Sequence, residues 1–255
     1  MATNEVCTEM HHQLATPHKN PEIRSFLKKQ MTHLDPSVFA FLQKLEKNNN
    51  RDWFAENKSL YVSAHEHFKA FAENLNQAMQ KQDHIEKMKL FRIYRDVRFS
   101  KNKAPYKTCF SGGFSRATKA LRGGYYFHLE PGGRSMIGGG FWQPESADLK
   151  RIREEIAADA EPLRKIVNSA SFKKHFGKLE GAQVKTAPKG YPKDHPDIDL
   201  LRYKSFTVSH HFSDKEVTTP GFTDEILKHF KATRPFFDYM SEVLTTDVNG
   251  VSLID

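Results

Sequence analysis

Residues 124–141 read G-Y-Y-F-H-L-E-P-G-G-R-S-M-I-G-G-G-F, and this stretch decides the fold class. Gly124 to Glu130 and Ser135 to Phe141 carry the aromatic and branched side chains that suit a pleated surface. Between them, Pro131-Gly132-Gly133 supplies the preset φ and the glycine freedom of a hairpin turn. Further strands are expected over Leu90 to Phe99, Thr108 to Phe114 and Leu201 to His211. Helical spacing surrounds this strand-rich section. Asp35-Pro36-Ser37 is an N-cap followed by proline at the first helical position, and Phe39, Leu42 and Leu45 repeat at helical spacing. Asn48-Asn49-Asn50 ends that helix, and Asn50 opens a longer one running to about Met79 with Trp53, Phe54, Tyr61, Phe68, Phe71 and Leu75 as apolar positions.

Beyond the hairpin the helical period returns at Leu149, Ile152 and Ile156, then at Leu163, Ile166 and Val167, and again over Phe172 to Phe176 before Gly177. A polar loop with three prolines fills residues 181–200. A last helix is expected from Asp224 to Leu244, kinked or broken at Pro235. Strands grouped between helices imply an α+β fold. The expectation is a single domain over residues 34–247, its mainly antiparallel sheet flanked by N-terminal, middle and C-terminal helices. Residues 1–33 read as a polar mobile leader, with a short helix admissible around Ile23 to Lys29, and residues 248–255 as a C-terminal tail.

The chain of 255 residues has 38% hydrophobic and 12% aromatic content, enough for a substantial core. Two cysteines far apart, Cys7 and Cys109, argue against a disulfide-stapled secreted domain. No apolar run reaches the roughly 20 residues of a membrane span, and the start lacks the pattern of a signal peptide. A soluble cytoplasmic protein with no membrane partner is the expectation.

Charge is unevenly spread. Residues 89–110 hold Lys89, Arg92, Arg95, Arg98, Lys101, Lys103 and Lys107 against one acid, Asp96, so 7 − 1 gives +6 where the whole chain totals +8. Phe91, Tyr94, Phe99, Tyr106 and Phe110 interleave with these cations. Read as a strand, the segment puts Phe91, Ile93, Arg95, Val97 and Phe99 on one face, which makes Arg95 a cation on an apolar side. Such a guanidinium needs an acid or a bound anion. Arg92 and Arg98 around Asp96 also fit an exposed charge ladder.

Four blocks carry a family resemblance. Phe41-Leu42 through Asn48-Asn49-Asn50-Arg51-Asp52-Trp53-Phe54, with Asn57, Lys58 and Tyr61, is the first. Arg92 to Thr108, R-I-Y-R-D-V-R-F-S-K-N-K-A-P-Y-K-T, is the second and most distinctive. Ile137 to Pro144, followed by Leu149, Ile152 and Arg153, is the third. Pro188-Lys189-Gly190-Tyr191, Asp194-His195-Pro196 and Lys204 form the fourth. In order over roughly residues 38–240, these blocks resemble the uncharacterised family catalogued as domain of unknown function 2461. The resemblance implies a common fold and brings no activity. An Asp is common in that family where this chain has Asn102, which weakens a catalytic or metal role there.

Gly138-Gly139-Gly140 matches neither a dinucleotide fingerprint nor a P-loop, and close backbone approach or a bulge beside Trp142 explains it more simply than ligand contact. His128 with Glu130 on one strand face, Asp194, His195, Asp197 and Asp199 in one loop, and His210-His211 lack a metal-site signature, so no metal and no particular cofactor are implied. Cys109 reads as a small core residue. The leading expectation is a small anionic ligand, phosphate- or carboxylate-bearing, held by Arg95, Arg98, Lys101, Lys103, Tyr106 and Lys107. Trp53, Tyr61 and Trp142 would form its apolar walls, and an enzyme of undefined reaction is compatible with such a pocket. The alternatives are a nucleic-acid-binding module using the same basic and aromatic residues, or an interaction scaffold whose arginines are structural.

Overall fold

The computed structural model describes residues 32–247 and 249–254. The leader and its short helix therefore lie outside the described residues, apart from Thr32 and His33. In chain order the elements are α1 (Pro36–Lys47), α2 (Arg51–Glu56), α3 (Lys58–Met79), β1 (Ile85–Leu90), β2 (Phe110–Arg116), β3 (Gly124–Leu129) and β4 (Ser135–Phe141). They continue with α4 (Ser146–Ala158), α5 (Glu161–Asn168), α6 (Ala170–Phe176), α7 (Ile198–Leu201), β5 (Phe206–Phe212), α8 (Asp214–Val217) and α9 (Phe222–Thr245). The five strands form one antiparallel sheet in the order β1-β2-β3-β4-β5, flanked by helices. The fold is α+β.

Local chemistry sets the helix starts. The Asp35 carboxylate accepts from Ser37 N ahead of Pro36, and the Asn50 side chain accepts from Trp53 N. The helix expected from Asn50 to Met79 is two helices, because the chain breaks at Asn57, whose side-chain amide donates to Trp53 O. Pro235 does not break α9. It is exposed, while its neighbours Phe236 and Phe237 are fully buried.

The sheet has two unlike faces. Leu90, Phe110, Phe114, Tyr125, Phe127, Ile137, Val208 and Phe212 face the helices. Phe68 of α3 stacks on Phe110 at 4.9 Å, and Tyr125 meets Phe230 and Phe237 of α9 at 4.7 and 4.9 Å. Each such phenylalanine contributes about 1.5–3 kcal/mol by leaving water. The glycines serve this packing. A Cβ on Gly139 would stand 2.9 Å from Phe237 Cζ, and one on Gly140, at φ +133°, would stand 2.2 Å from Phe206 O. Close approach of α9 and β5 explains the triplet.

The middle of α9 is pinned by an ionic network centred on the buried Arg116 and Asp83. Arg116 Nε lies 2.9 Å from Asp83 Oδ2, and its Nη2 donates to Asp238 at 2.6 Å. Arg234 lies 3.2 Å from Asp83, and the Tyr125 hydroxyl donates to the same carboxylate at 2.6 Å. Two cations and two acids balance, as burial requires.

Candidate functional site

A long connection leaves the sheet at the β1–β2 end. Residues 91–109 join two strands that a tight turn could have joined, and loops of that length in compact domains are usually functional. The strand expected from Leu90 to Phe99 is thus corrected: β1 ends at Leu90, and the ladder continues only through Phe91 N donating to Ser111 O and a bridge between Tyr94 and Tyr106. Between the Leu90–Gly112 pair and the Tyr94–Tyr106 bridge the register slips by two residues, so the regular ladder is lost there. The inward-outward alternation nevertheless persists, with Ile93 buried, Arg95 and Val97 half-buried and Arg92, Tyr94, Asp96 and Arg98 exposed. Phe99 departs from it at 97% exposure.

The loop is braced from within and below. Arg95 N donates to Pro105 O, and Lys107 N donates to Ile93 O. The Arg95 guanidinium donates to Ala104 O at 3.0 Å and Ser100 Oγ at 3.4 Å, so it staples the loop across its own width. Lys103 Nζ donates to Val97 O at 3.1 Å. From the turn between α1 and α2, Asn49 clamps the Tyr106 peptide, accepting from its N at 3.1 Å and donating to its O at 3.0 Å. Tyr106 stacks on Phe54 at 4.0 Å, and Phe54 also meets Tyr61 and Tyr94. The three asparagines of the first family block therefore divide their work: Asn48 and Asn50 end and start helices, and Asn49 holds the basic loop.

Beside the loop lies the sheet face turned away from the helices. At its near end Lys89 and Lys107 both sit over the Phe91 ring, at 5.8 and 5.7 Å, and Phe91 meets Tyr126 at 6.3 Å. Tyr126, His128 and Glu130 follow at the period of two that puts them on one face. The Tyr126 hydroxyl lies 3.2 Å from His128 Nδ1, and His128 Nε2 lies 2.8 Å from Glu130 Oε2. Glu130 also accepts from Thr108 Oγ1 at 2.7 Å and is 3.2 Å from Arg134 Nε. Burial works against the Glu130 carboxylate, yet the bonds from His128 and Thr108 outweigh it and hold its carboxyl below the usual range. Burial raises the Tyr126 phenol, a rise moderated by a hydrogen bond with Ser111. Burial also pushes the Cys109 thiol up to about 11, so it is no thiolate nucleophile.

The structure groups most, but not all, of the residues singled out from the sequence. Arg95, Arg98, Lys101, Lys103 and Tyr106 share the loop, Tyr61 packs below it, and Lys107 turns onto the sheet face. Arg98 is exposed and paired with Asp96 at 2.7 Å. Trp53 is half-buried against the core. Trp142 follows Phe141, whose partner is Phe206, whereas the basic loop lies at the end marked by Ser135 and Phe212. It is 73% exposed at the opposite end of the sheet and cannot wall a pocket with the loop cations. Two clefts, of about 360 and 290 Å³, are lined by other residues, among them His175 and Lys231 in one and Arg164 and Tyr203 in the other. Among the described residues no group of three or more His, Cys, Asp or Glu is arranged to hold a metal ion, and no helix is long and apolar enough to cross a membrane.

Sequence reading paired His128 with Glu130 but passed over Tyr126. The signal was the unbroken alternation Tyr126-x-His128-x-Glu130. It missed Asp83, Arg116 and Arg234 altogether, since they meet only in the folded chain. Neither curated proteins nor solved structures give a match to this chain. A family profile does, over residues 37–239, and it spans the loop, the whole sheet and most of α9. The chain thus belongs to the family of conserved hypothetical proteins designated DUF2461.

Proposed function

We propose that this protein binds a polyanionic strand, a single-stranded nucleic acid, across the basic loop and the adjoining open sheet face. The observation that carries this reading is the exposed pairing of cations and rings on a braced loop. Phe99 is 97% and Tyr94 43% exposed, among Arg92, Arg98, Lys101 and Lys103, all exposed. An exposed ring is available for base stacking, and the cations beside it for phosphates. Lys87 and Lys89 on the edge strand β1 extend the positive surface. A concave pocket for a small anion has less support, because the loop cations point outward or bond to loop carbonyls and line neither cleft.

The test is fluorescence anisotropy with labelled oligo(dT) and oligo(rU) over a salt series. Affinity is expected to fall steeply with salt, with each phosphate contact adding a slope of about 0.7 on a logarithmic scale. Phe99→Ala is expected to weaken binding by about 1–3 kcal/mol, the cost of one lost stack. The paired change Lys89→Ala with Lys107→Ala flattens the salt slope instead. Absence of strand binding, with protection of the loop by inorganic phosphate or a mononucleotide, would return the small-anion reading to first place.

A further inference from the structure

Tyr126, His128 and Glu130 form a chain of hydrogen bonds with the polarity of a hydroxyl-activating relay. Glu130, held as a carboxylate, can only accept, so the proton of the 2.8 Å contact sits on His128 Nε2. In the neutral ring His128 Nδ1 then carries the lone pair and can accept from the Tyr126 phenol, 3.2 Å away. Carboxylate, imidazole and hydroxyl stand in the order in which a hydrolase triad activates its nucleophile. Thr108 and Arg134 fix the second carboxylate oxygen and so orient the imidazole. The group is half-buried, with 20% of the His128 and 16% of the Glu130 side chain exposed. Tyr126 is likewise partly exposed. The face is the one over which Lys89 and Lys107 bracket Phe91 next to Tyr126.

From this geometry we infer that Tyr126 is a nucleophile, activated by His128 and Glu130, toward a phosphodiester of the bound strand. The inference rests on the strand-binding reading above for its substrate, but not for the reactivity of the phenol. In the step, the Tyr126 oxygen attacks phosphorus and its proton passes to His128 Nδ1. The bond from phosphorus to the departing sugar oxygen, in line with and opposite the attacking phenol, breaks, and that oxygen takes a proton from solvent while His128 holds the phenol proton. The products are a phosphotyrosyl strand and a free hydroxyl end, with no oxidant, reductant or water consumed. Lys89 and Lys107 stand where they can neutralise the phosphate. His128 takes the proton and is therefore catalytic, whereas Glu130 acts through it as a positioning residue.

Two measurements on the full chain test this. The first labels the protein with an aryl sulfonyl fluoride and maps modified tyrosines by mass spectrometry, with the exposed Tyr94 as internal reference. Tyr126 is expected to react about 10²-fold faster than Tyr94, the low end of what a positioned general base supplies. His128→Gln is expected to abolish that advantage and Glu130→Gln to reduce it, with the melting transition of each variant showing that it folds. Slower labelling of Tyr126 than of Tyr94, or labelling indifferent to His128→Gln in a folded variant, overturns the inference. The second mixes wild type with labelled oligonucleotide and looks for a covalent band on a denaturing gel, expected to vanish in Tyr126→Phe. Strand binding without a covalent band overturns the phosphodiester assignment. No strand binding at all sinks the strand-binding reading and that assignment together, while the labelling still decides whether the phenol is activated.

Discussion

Two arginine-rich regions of this molecule follow opposite rules. Around Arg116, whose side chain is fully buried, the charges close on themselves: Arg116 and Arg234 face Asp83 and Asp238. Residues 91–109 carry Arg92, Arg95, Arg98, Lys101, Lys103 and Lys107 against Asp96 alone, a surplus of 6 − 1 = 5. The first set could not survive unbalanced, since a desolvated charge without a partner costs several kcal/mol. Water screens most of the second set, so its surplus is tolerated, and its exposed members can meet another molecule while Arg95 is turned to the loop's own carbonyl. The same residue type is structural in one place and available in the other, and burial makes the difference.

The strongest way to break this comparison is Arg116→Met. It leaves Asp83 buried with one fewer partner and should cost about 3–5 kcal/mol in urea unfolding at unchanged m-value. Asp83→Leu combined with Arg116→Met should cost less than the sum of the single changes, because neither charge is then stranded. Additive losses would mean that the two groups do not act as a pair.

Next is the clamp that makes the loop a fixed platform. Asn49→Ala deletes two hydrogen bonds to the Tyr106 peptide and should cost about 1–3 kcal/mol. Its signature is local: hydrogen exchange at the Arg95 and Lys107 amides should quicken while the amides of β3 stay protected. Uniform quickening would show that the clamp serves the whole domain rather than the loop.

A smaller effect is the pH dependence of the folded core outside both regions. Burial, with His210 and His175 nearby, holds His229 below its ordinary 6.5, against weaker opposition from Glu225. A base with a lowered folded-state pKa contributes stability that is present above pH 6.5 and lost as pH falls through its folded value. His67 behaves oppositely, since the Asp35 carboxylate 3.6 Å away raises it, so its contribution is present below 6.5 and lost as pH rises through the folded value. Neither group touches the basic loop. His229→Phe should therefore flatten the acid limb of the stability profile and His67→Ala the neutral-to-alkaline limb. Retention of both limbs in the variants would place the titrating groups elsewhere.

The smallest stability effect is expected at Arg98. Its pair with Asp96 is fully solvated, so Arg98→Ala should leave the thermal midpoint where it is while weakening strand affinity at low salt. A clear drop in midpoint would move Arg98 into the structural class of Arg116.

How much of this was readable in one dimension varies by element. The hairpin of β3 and β4 was legible to within a residue, because its turn and its alternation are local. So were the caps at Asp35 and Asn50. The segment after Leu90 was misread as a strand because alternation of burial persists in a braced loop that has lost its ladder. The break allowed at Pro235 does not occur: α9 runs through it, with Pro235 exposed and Phe236 and Phe237 buried. The open-face triad was half-legible: Tyr126, His128 and Glu130 alternate along one stretch of chain, but the hydrogen bond from Thr108 needs the β2–β3 register.

What the sequence determined by itself was therefore the α+β class, the antiparallel hairpin, the family blocks and the concentration of positive charge before residue 110, all properties of neighbouring residues. Tertiary structure alone decided which cations are consumed. Arg116 finds Asp83 and Asp238 across long stretches of chain, Arg95 turns inward to the Ala104 carbonyl, and Trp142 is carried to the far end of the sheet. Desolvation is a property of the assembled core, and a one-dimensional pattern contains the charges without the dielectric that fixes what they are worth.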